Sequence, residues 1–128
     1  MRAIGTAIDA LFAGSEVASE PTVVRGIGAS PGCYEGTARL IHGPREFSRL
    51  SPGEVLVTAT TTDAFNLVLP LVGAIVTDRG GLLSHAAIVS RECGIPSVVG
   101  CQDATALITD GTRVRVDGTT GEVTVLTS

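Results

Sequence analysis

The chain contains no lysine and no tryptophan, and only 3% of its 128 residues are aromatic. All nine basic residues are arginine. The missing lysine excludes a Walker-A phosphate grip, a Schiff-base nucleophile and a kinase-type phosphate contact. ATP would need another polypeptide or an arginine-only site. The few aromatics leave no base-stacking platform, and a net charge of −4 does not suit a nucleic acid or an anionic membrane surface. Neither partner is expected. Cysteine is scarce too: Cys33, Cys93 and Cys101 fit no CxxC or zinc spacing. They are expected as small buried hydrophobes with free thiols, which suits a reducing, cytoplasmic compartment. Long apolar runs are also absent. The longest uncharged segment, residues 64–77, holds Asn66, Pro70 and Gly73 and is too short to span a bilayer.

What is present is an aliphatic core in search of a sheet. Apolar residues make up 44% of the chain and mean hydropathy is positive, enough for one domain but not for two enzyme domains. Ile4, Ile8, Leu11 and Phe12 recur at helical spacing, which predicts a short helix over 2–12. The small polar stretch AGSEVASEP reads as a linker, so residues 1–21 form an arm and 22–128 the domain. A Met1 start and this arm favour a separately encoded subunit over an excised piece. From Thr22 the pattern is β: TVVR, then YEGTARLIHG, EVLVTA, AIVTD and SVVG. Helices are expected at 64–71 and 84–93, the second stopped by Gly94 with Pro96 beyond. Two successive strand-helix-strand units require a parallel sheet, whereas TRVRVDG and GEVTVL read as an antiparallel pair.

The stretch GGLLSHAAIV, residues 80–89, carries the chemistry. With Ser84 as N-cap, His85 takes the first helical position, beside unpaired backbone N–H groups whose field stabilises an anion by ~0.3 to 2 kcal/mol. A neutral imidazole offers a lone pair for attack on phosphorus, so His85 is the candidate catalytic nucleophile. Gly80 and Gly81 let the backbone turn and keep side chains away from a ligand. Arg79 is the better candidate of two nearby arginines to pair with phosphate oxygens. Arg91, six residues up the helix, lies about 9 Å along the axis on another face. A buried helix-cap histidine is the structural alternative, and the residues alone leave both open.

Other motifs weigh less. GASPG has the spacing of a nucleophile elbow, but Pro31 lacks the N–H that would complete its oxyanion hole; Ser30 is expected in a turn, and so is GIGAS. A hydrolase using Ser30 remains a third hypothesis. His42 is expected on the surface, with no second ligand at metal spacing. Asp63, Asp78 and Asp117 suit cap and turn roles, and Asp78 is also placed to orient the Gly80-Gly81 loop.

GGLLSHAAIVSRECGIPSVVG, residues 80–100, resembles the signature of the swivelling phosphohistidine domain of phosphoenolpyruvate (PEP)-utilising enzymes. These include PEP synthase, pyruvate phosphate dikinase, the first enzyme of the sugar phosphotransferase system and rifampin phosphotransferase. The resemblance extends through VRGIGASPGCYEGTARL, PGEVLV, TTD and DGTRVRVDGTTGEVTVL, covering about 22–126. It implies a three-layer β/β/α fold with a parallel central sheet and an antiparallel second sheet. It further implies that His85 carries a phosphoryl group between an ATP-grasp nucleotide-binding domain and a PEP- or acceptor-binding domain. ATP or PEP and Mg then sit on those partners; this domain itself is expected to bind no cofactor or metal. A docking or regulatory subunit that has lost the chemistry is the alternative. Where many relatives have a regulatory threonine two residues before the histidine, this chain has Leu83. That form of control is therefore not expected, and the Leu82-Leu83 pair is closer to the rifampin-phosphotransferase type. Both leucines are expected in the domain's own core rather than on a docking rim.

Overall fold

The computed structural model describes residues 22–126. The helix expected over 2–12 and the linker over 13–21 lie outside the described residues. The eight strands are β1 (Val23–Arg25), β2 (Ile27–Ser30), β3 (Cys33–Leu40), β4 (Val55–Thr58), β5 (Ala74–Thr77), β6 (Ser97–Val99), β7 (Arg113–Asp117) and β8 (Glu122–Leu126). They hydrogen-bond in the order β1-β8-β7-β3-β4-β5-β6-β2. Pairings β3–β4, β4–β5 and β5–β6 are parallel, and the rest are antiparallel.

Two strands turn this order into layers. Within β3, Cys33–Thr37 pairs with β7 while Ala38–Leu40 pairs with β4. Across Gly26, β1 pairs with β8 and β2 with β6. Each chain segment thus leaves an antiparallel sheet and enters the parallel one, so the two sheets face each other and share their corners. Alternation along the central strands then fills two cores. Val55, Val57, Ala74, Val76 and Val98 meet Val24, Val114, Val116 and Val123 between the sheets. Leu56, Ile75 and Val99 point the other way, onto Phe65, Leu69, Ala86 and Ala87 of the helical layer. Strands covered on both faces read as continuous apolar runs, and VLV, AIV and the two valines after Ser97 are such runs. The three-layer β/β/α architecture is the one expected.

Local expectations fared unevenly. Helix α1 (His85–Cys93) starts at the Ser84 cap, and Gly94 ends it in the left-handed conformation at φ 71°. The amide of Ile95 returns to the Ser90 carbonyl, closing the helix in the usual glycine-stop geometry. Ser90, fully buried, bonds Ser97 Oγ at 2.7 Å and the Ala87 carbonyl at 2.9 Å, so α1 is pinned to β6 without an unsatisfied hydroxyl. The helix expected at 64–71 is instead two 3-10 segments, Asp63–Leu67 and Leu69–Leu71. Thr62 makes no side-chain cap bond, and Pro70 has no N–H to continue an α-helical ladder. A short helix α2 (Ala104–Leu107) follows β6.

GIGAS is strand rather than turn, apart from Gly26, which joins β1 to β2. Its glycines answer a close backbone approach: a Cβ on Gly28 would lie 2.2 Å from the Gly118 carbonyl oxygen. Ser30 is likewise the buried last residue of β2, opposite Ser97. The cysteines divide: Cys101 is buried, but Cys33 and Cys93 are exposed, because one opens a strand at the sheet end and the other closes α1 on its outer side. All three thiols are free. Among the described residues no helix is long and apolar enough to cross a membrane.

Candidate functional site

The site lies past the carboxyl ends of β4 and β5. Parallel pairing of these strands, Thr58 opposite Thr77, brings their following loops side by side, the usual place for ligands in an open parallel sheet. The amide of Asp78 donates to the Thr58 carbonyl and that of Arg79 to the Ala59 carbonyl. Thr77 Oγ1 donates to the Arg79 carbonyl at 2.7 Å. The loop leading to His85 is therefore tied to the loop that follows β4.

Gly80 and Gly81 differ. Gly80 has φ 112°, and a Cβ there would come within 2.9 Å of Ser84 Cβ and Oγ, so only glycine fits. Gly81 has open space at its Cβ position; its contribution is a carbonyl that accepts from Ser84 Oγ at 2.7 Å and from the Ser84 amide at 3.1 Å. Ser84 Oγ also accepts from the Ala87 amide at 3.4 Å. The expected N-cap is in place, and it clamps the glycine turn to the first helical turn. The amides of His85 and Ala86 have no hydrogen bond among the described residues, leaving two donors at the helix end.

His85 is the first residue of α1, with its side chain 25% exposed. The ring is neither sealed in the core nor loose. Nδ1 lies 2.8 Å from Thr61 Oγ1, and Thr61 is buried. Nε2 lies 3.0 Å from Asn66 Oδ1 and 3.7 Å from the carboxylate of Asp63, which is 99% exposed. Thr61, Asp63 and Asn66 all come from the segment after β4. Thr61 and Asn66 were not singled out in the sequence; a signal did exist, since both follow the strand that must neighbour the one feeding His85.

The remaining candidates settle elsewhere. Arg79 makes no ion pair among the described residues, and no contact brings it to His85. Arg91 does not face the ring: its guanidinium donates to the Ala29 carbonyl at 3.0 Å and the Leu82 carbonyl at 2.7 Å, strapping the loop before His85 to β2. Asp78 does not orient the glycine loop through its carboxylate, which accepts from Thr105 N at 3.0 Å and Thr105 Oγ1 at 2.6 Å. Asp117 plays the turn role, accepting from the amides of Thr119 and Thr120. His42 is exposed and pairs with Glu46 at 3.1 Å.

Leu82 and Leu83 are not in the core: they are 54% and 86% exposed. The space under α1 is already filled by Phe65, Val68 and Leu69, so the turn before the helix carries both leucines outward. Leu67 and Ile88 are exposed as well. Ile88 lies one helical turn from His85 and Leu67 adjoins Asn66, so the histidine is rimmed by apolar side chains.

Comparison with known proteins gives a consistent result. Residues 50–121 match the family described as PEP-utilising enzyme, mobile domain. A probable phosphoenolpyruvate synthase of Archaeoglobus fulgidus is 45% identical over 109 residues, which is 85% of this chain and 14% of that protein. The uncharacterized phosphotransferase YvkC of Bacillus subtilis is 46% identical over 101 residues, 79% of this chain and 12% of that protein. This chain thus spans about a seventh of the length of such relatives. Among solved structures, the solution structure of Enzyme I (nEIt) is 35% identical with a TM-score of 0.54, covering 61% of this chain and 32% of that one.

Proposed function

Since this chain belongs to the family of mobile domains of PEP-utilising enzymes, we propose that it carries a phosphoryl group on His85 between a donor site and an acceptor site held by partner domains. The observation that carries this reading is the position of His85: first in α1, partly exposed, beside two free helix-end amides. A phosphoryl group bonded there meets donors already aimed outward, and the helix field favours its charge. Nε2 is the nitrogen to react, because Nδ1 faces the buried Thr61. Its lone pair forms the N–P bond while the donor's P–O bond breaks, and the reverse exchange delivers the group to an acceptor.

The chain has no lysine to grip a nucleotide, and on this reading ATP or PEP, with Mg, is assigned to the partners. These are an ATP-grasp nucleotide-binding domain and a PEP- or acceptor-binding domain, in line with relatives of which the matched segment is only 14% and 12%. Catalysis then consists mainly of positioning and charge stabilisation between domains. The apolar rim of Leu67, Leu82, Leu83 and Ile88 suits transient contact with them. Three free thiols favour the cytoplasm.

The test is incubation with cognate partner domains and a labelled donor. The expected label is acid-labile, stable to alkali and absent from His85→Ala. A label that persists in His85→Ala overturns the assignment, and an assembled enzyme whose turnover is indifferent to that substitution points to a docking subunit instead.

A further inference from the structure

We propose that Asn66 is a positioning residue for His85: with Thr61, it holds the resting imidazole in the tautomer that carries its proton on Nε2, and it must swing aside before that nitrogen can take a phosphoryl group. The gating consequence rests on the carrier reading above. The resting tautomer does not.

The argument is one of partner inventory. Thr61 is buried, and among the described residues its hydroxyl has one partner, His85 Nδ1 at 2.8 Å. A buried hydroxyl gives its proton to an acceptor where one is within reach, and the acceptor here is the Nδ1 lone pair. A neutral ring that accepts at Nδ1 carries its proton at Nε2. There the surroundings agree: Asn66 Oδ1 at 3.0 Å accepts, and Asp63 at 3.7 Å adds a carboxylate on the same side. Among the described residues, two acceptors and no cation face Nε2. The nitrogen that must be the nucleophile is thus protonated and covered, while the one with a lone pair is turned to Thr61.

Arming the ring requires a defined exchange. Nδ1 takes a proton from solvent and Thr61 turns to accept from the new Nδ1–H. The Nε2 proton then passes to water or to the Asp63 carboxylate, and Asn66 moves off the freed lone pair. Only then can the N–P bond form as the donor's P–O bond breaks, the electron pair leaving with the donor oxygen. Asn66 is exposed, on a 3-10 segment with no side-chain cap, so its movement disturbs no core packing. A docking partner that engages Asn66 or the adjoining Leu67, 79% exposed, would therefore arm the histidine as it binds.

The experiment uses the full chain, free of any partner. Long-range proton-nitrogen NMR of the unphosphorylated protein at neutral pH reads the His85 tautomer directly. The wild type is expected to be mainly Nε2–H. Asn66→Leu, similar in volume and at an exposed position, removes one neutral hydrogen bond and is expected to shift the tautomer ratio toward Nδ1–H by about threefold to tenfold. Thr61→Val is expected to shift it the same way. Charging with phosphoramidate, a small phosphoryl donor, is then expected to be faster in Asn66→Leu than in the wild type by a similar factor. An Nδ1–H tautomer in the wild type, or a ratio unmoved by Asn66→Leu in a chain whose amide spectrum is otherwise preserved, overturns the proposal. A tautomer shift in a chain whose His85 accepts no phosphoryl group from any donor supports the Asn66 assignment and overturns the carrier reading.

Discussion

Replacing Ser84 by alanine tests whether the loop before His85 is clamped as described. The substitution removes two bonds that share one hydroxyl. The first is the cap to the Ala87 amide; at 3.4 Å it is long, so it belongs at the low end of the capping range, about 0.5 kcal/mol. The second is donation to the Gly81 carbonyl at 2.7 Å, well formed and worth about 0.5–1.5 kcal/mol. Their sum is about 1–2 kcal/mol. With a urea dependence of about 2 kcal/mol per molar for a domain of this size, the unfolding midpoint should fall by about 0.5–1 M. Ser84→Asp separates stability from function. A carboxylate caps as well as a hydroxyl but cannot donate to the Gly81 carbonyl at neutral pH, and it sets a negative charge beside the incoming phosphoryl group. Its midpoint should lie between those of the alanine variant and the wild type, while charging of His85 falls below both. A Ser84→Ala midpoint within error of the wild type, or Ser84→Asp charging as fast as the parent, would refute the reasoning.

Other perturbations follow from the same geometry. Gly80→Ala should destabilise the chain, since its Cβ meets Ser84 at a strained φ, whereas Gly81→Ala should leave the melting temperature nearly unchanged; equal effects would contradict the difference between the two positions. A thiol reagent at pH 8 should label Cys33 and Cys93 in the native chain and reach Cys101 only on unfolding, because burial, reinforced by the nearby Asp78 charge, pushes that thiol up to about 12. Glu54 is held below the usual glutamate range by its hydrogen bonds from Arg39. A depressed folded-state value contributes stability above the unfolded value near ~4.3 and loses it as pH falls through the folded one; the urea midpoint should therefore drop below about pH 4, and less steeply in Arg39→Met. Ser30, buried in β2, should take no label from a serine-directed fluorophosphonate, and a labelled Ser30 would revive the hydrolase reading.

How much of this was legible in the residues depended on the range of the forces involved. The core strands VLV, AIV and SVV were legible because burial on both faces leaves no choice of residue type, and α1 was legible because its cap at Ser84 and stop at Gly94 are local chemistry. Thr61 and Asn66 were not. They lie 24 and 19 residues before His85, and only the parallel register of β4 on β5 closes that distance. Leu82 and Leu83 misled for the opposite reason: hydrophobicity favours burial, but the space they would enter is taken by residues 65–69. The glycines of GIGAS look like turn residues because glycine serves turns so often. Here they let one backbone lie against another, a contact between residues about 90 apart in the chain that no local pattern announces.

The most direct test of the carrier claim is to stop the reaction with cognate donor domain midway and locate the phosphoryl group by tandem mass spectrometry under alkaline conditions. The account predicts it on the peptide bearing His85, bonded to the imidazole, with the more exposed His42 unmodified. A phosphoryl group found on His42, on Ser84 or on no residue of this chain during active turnover would contradict it.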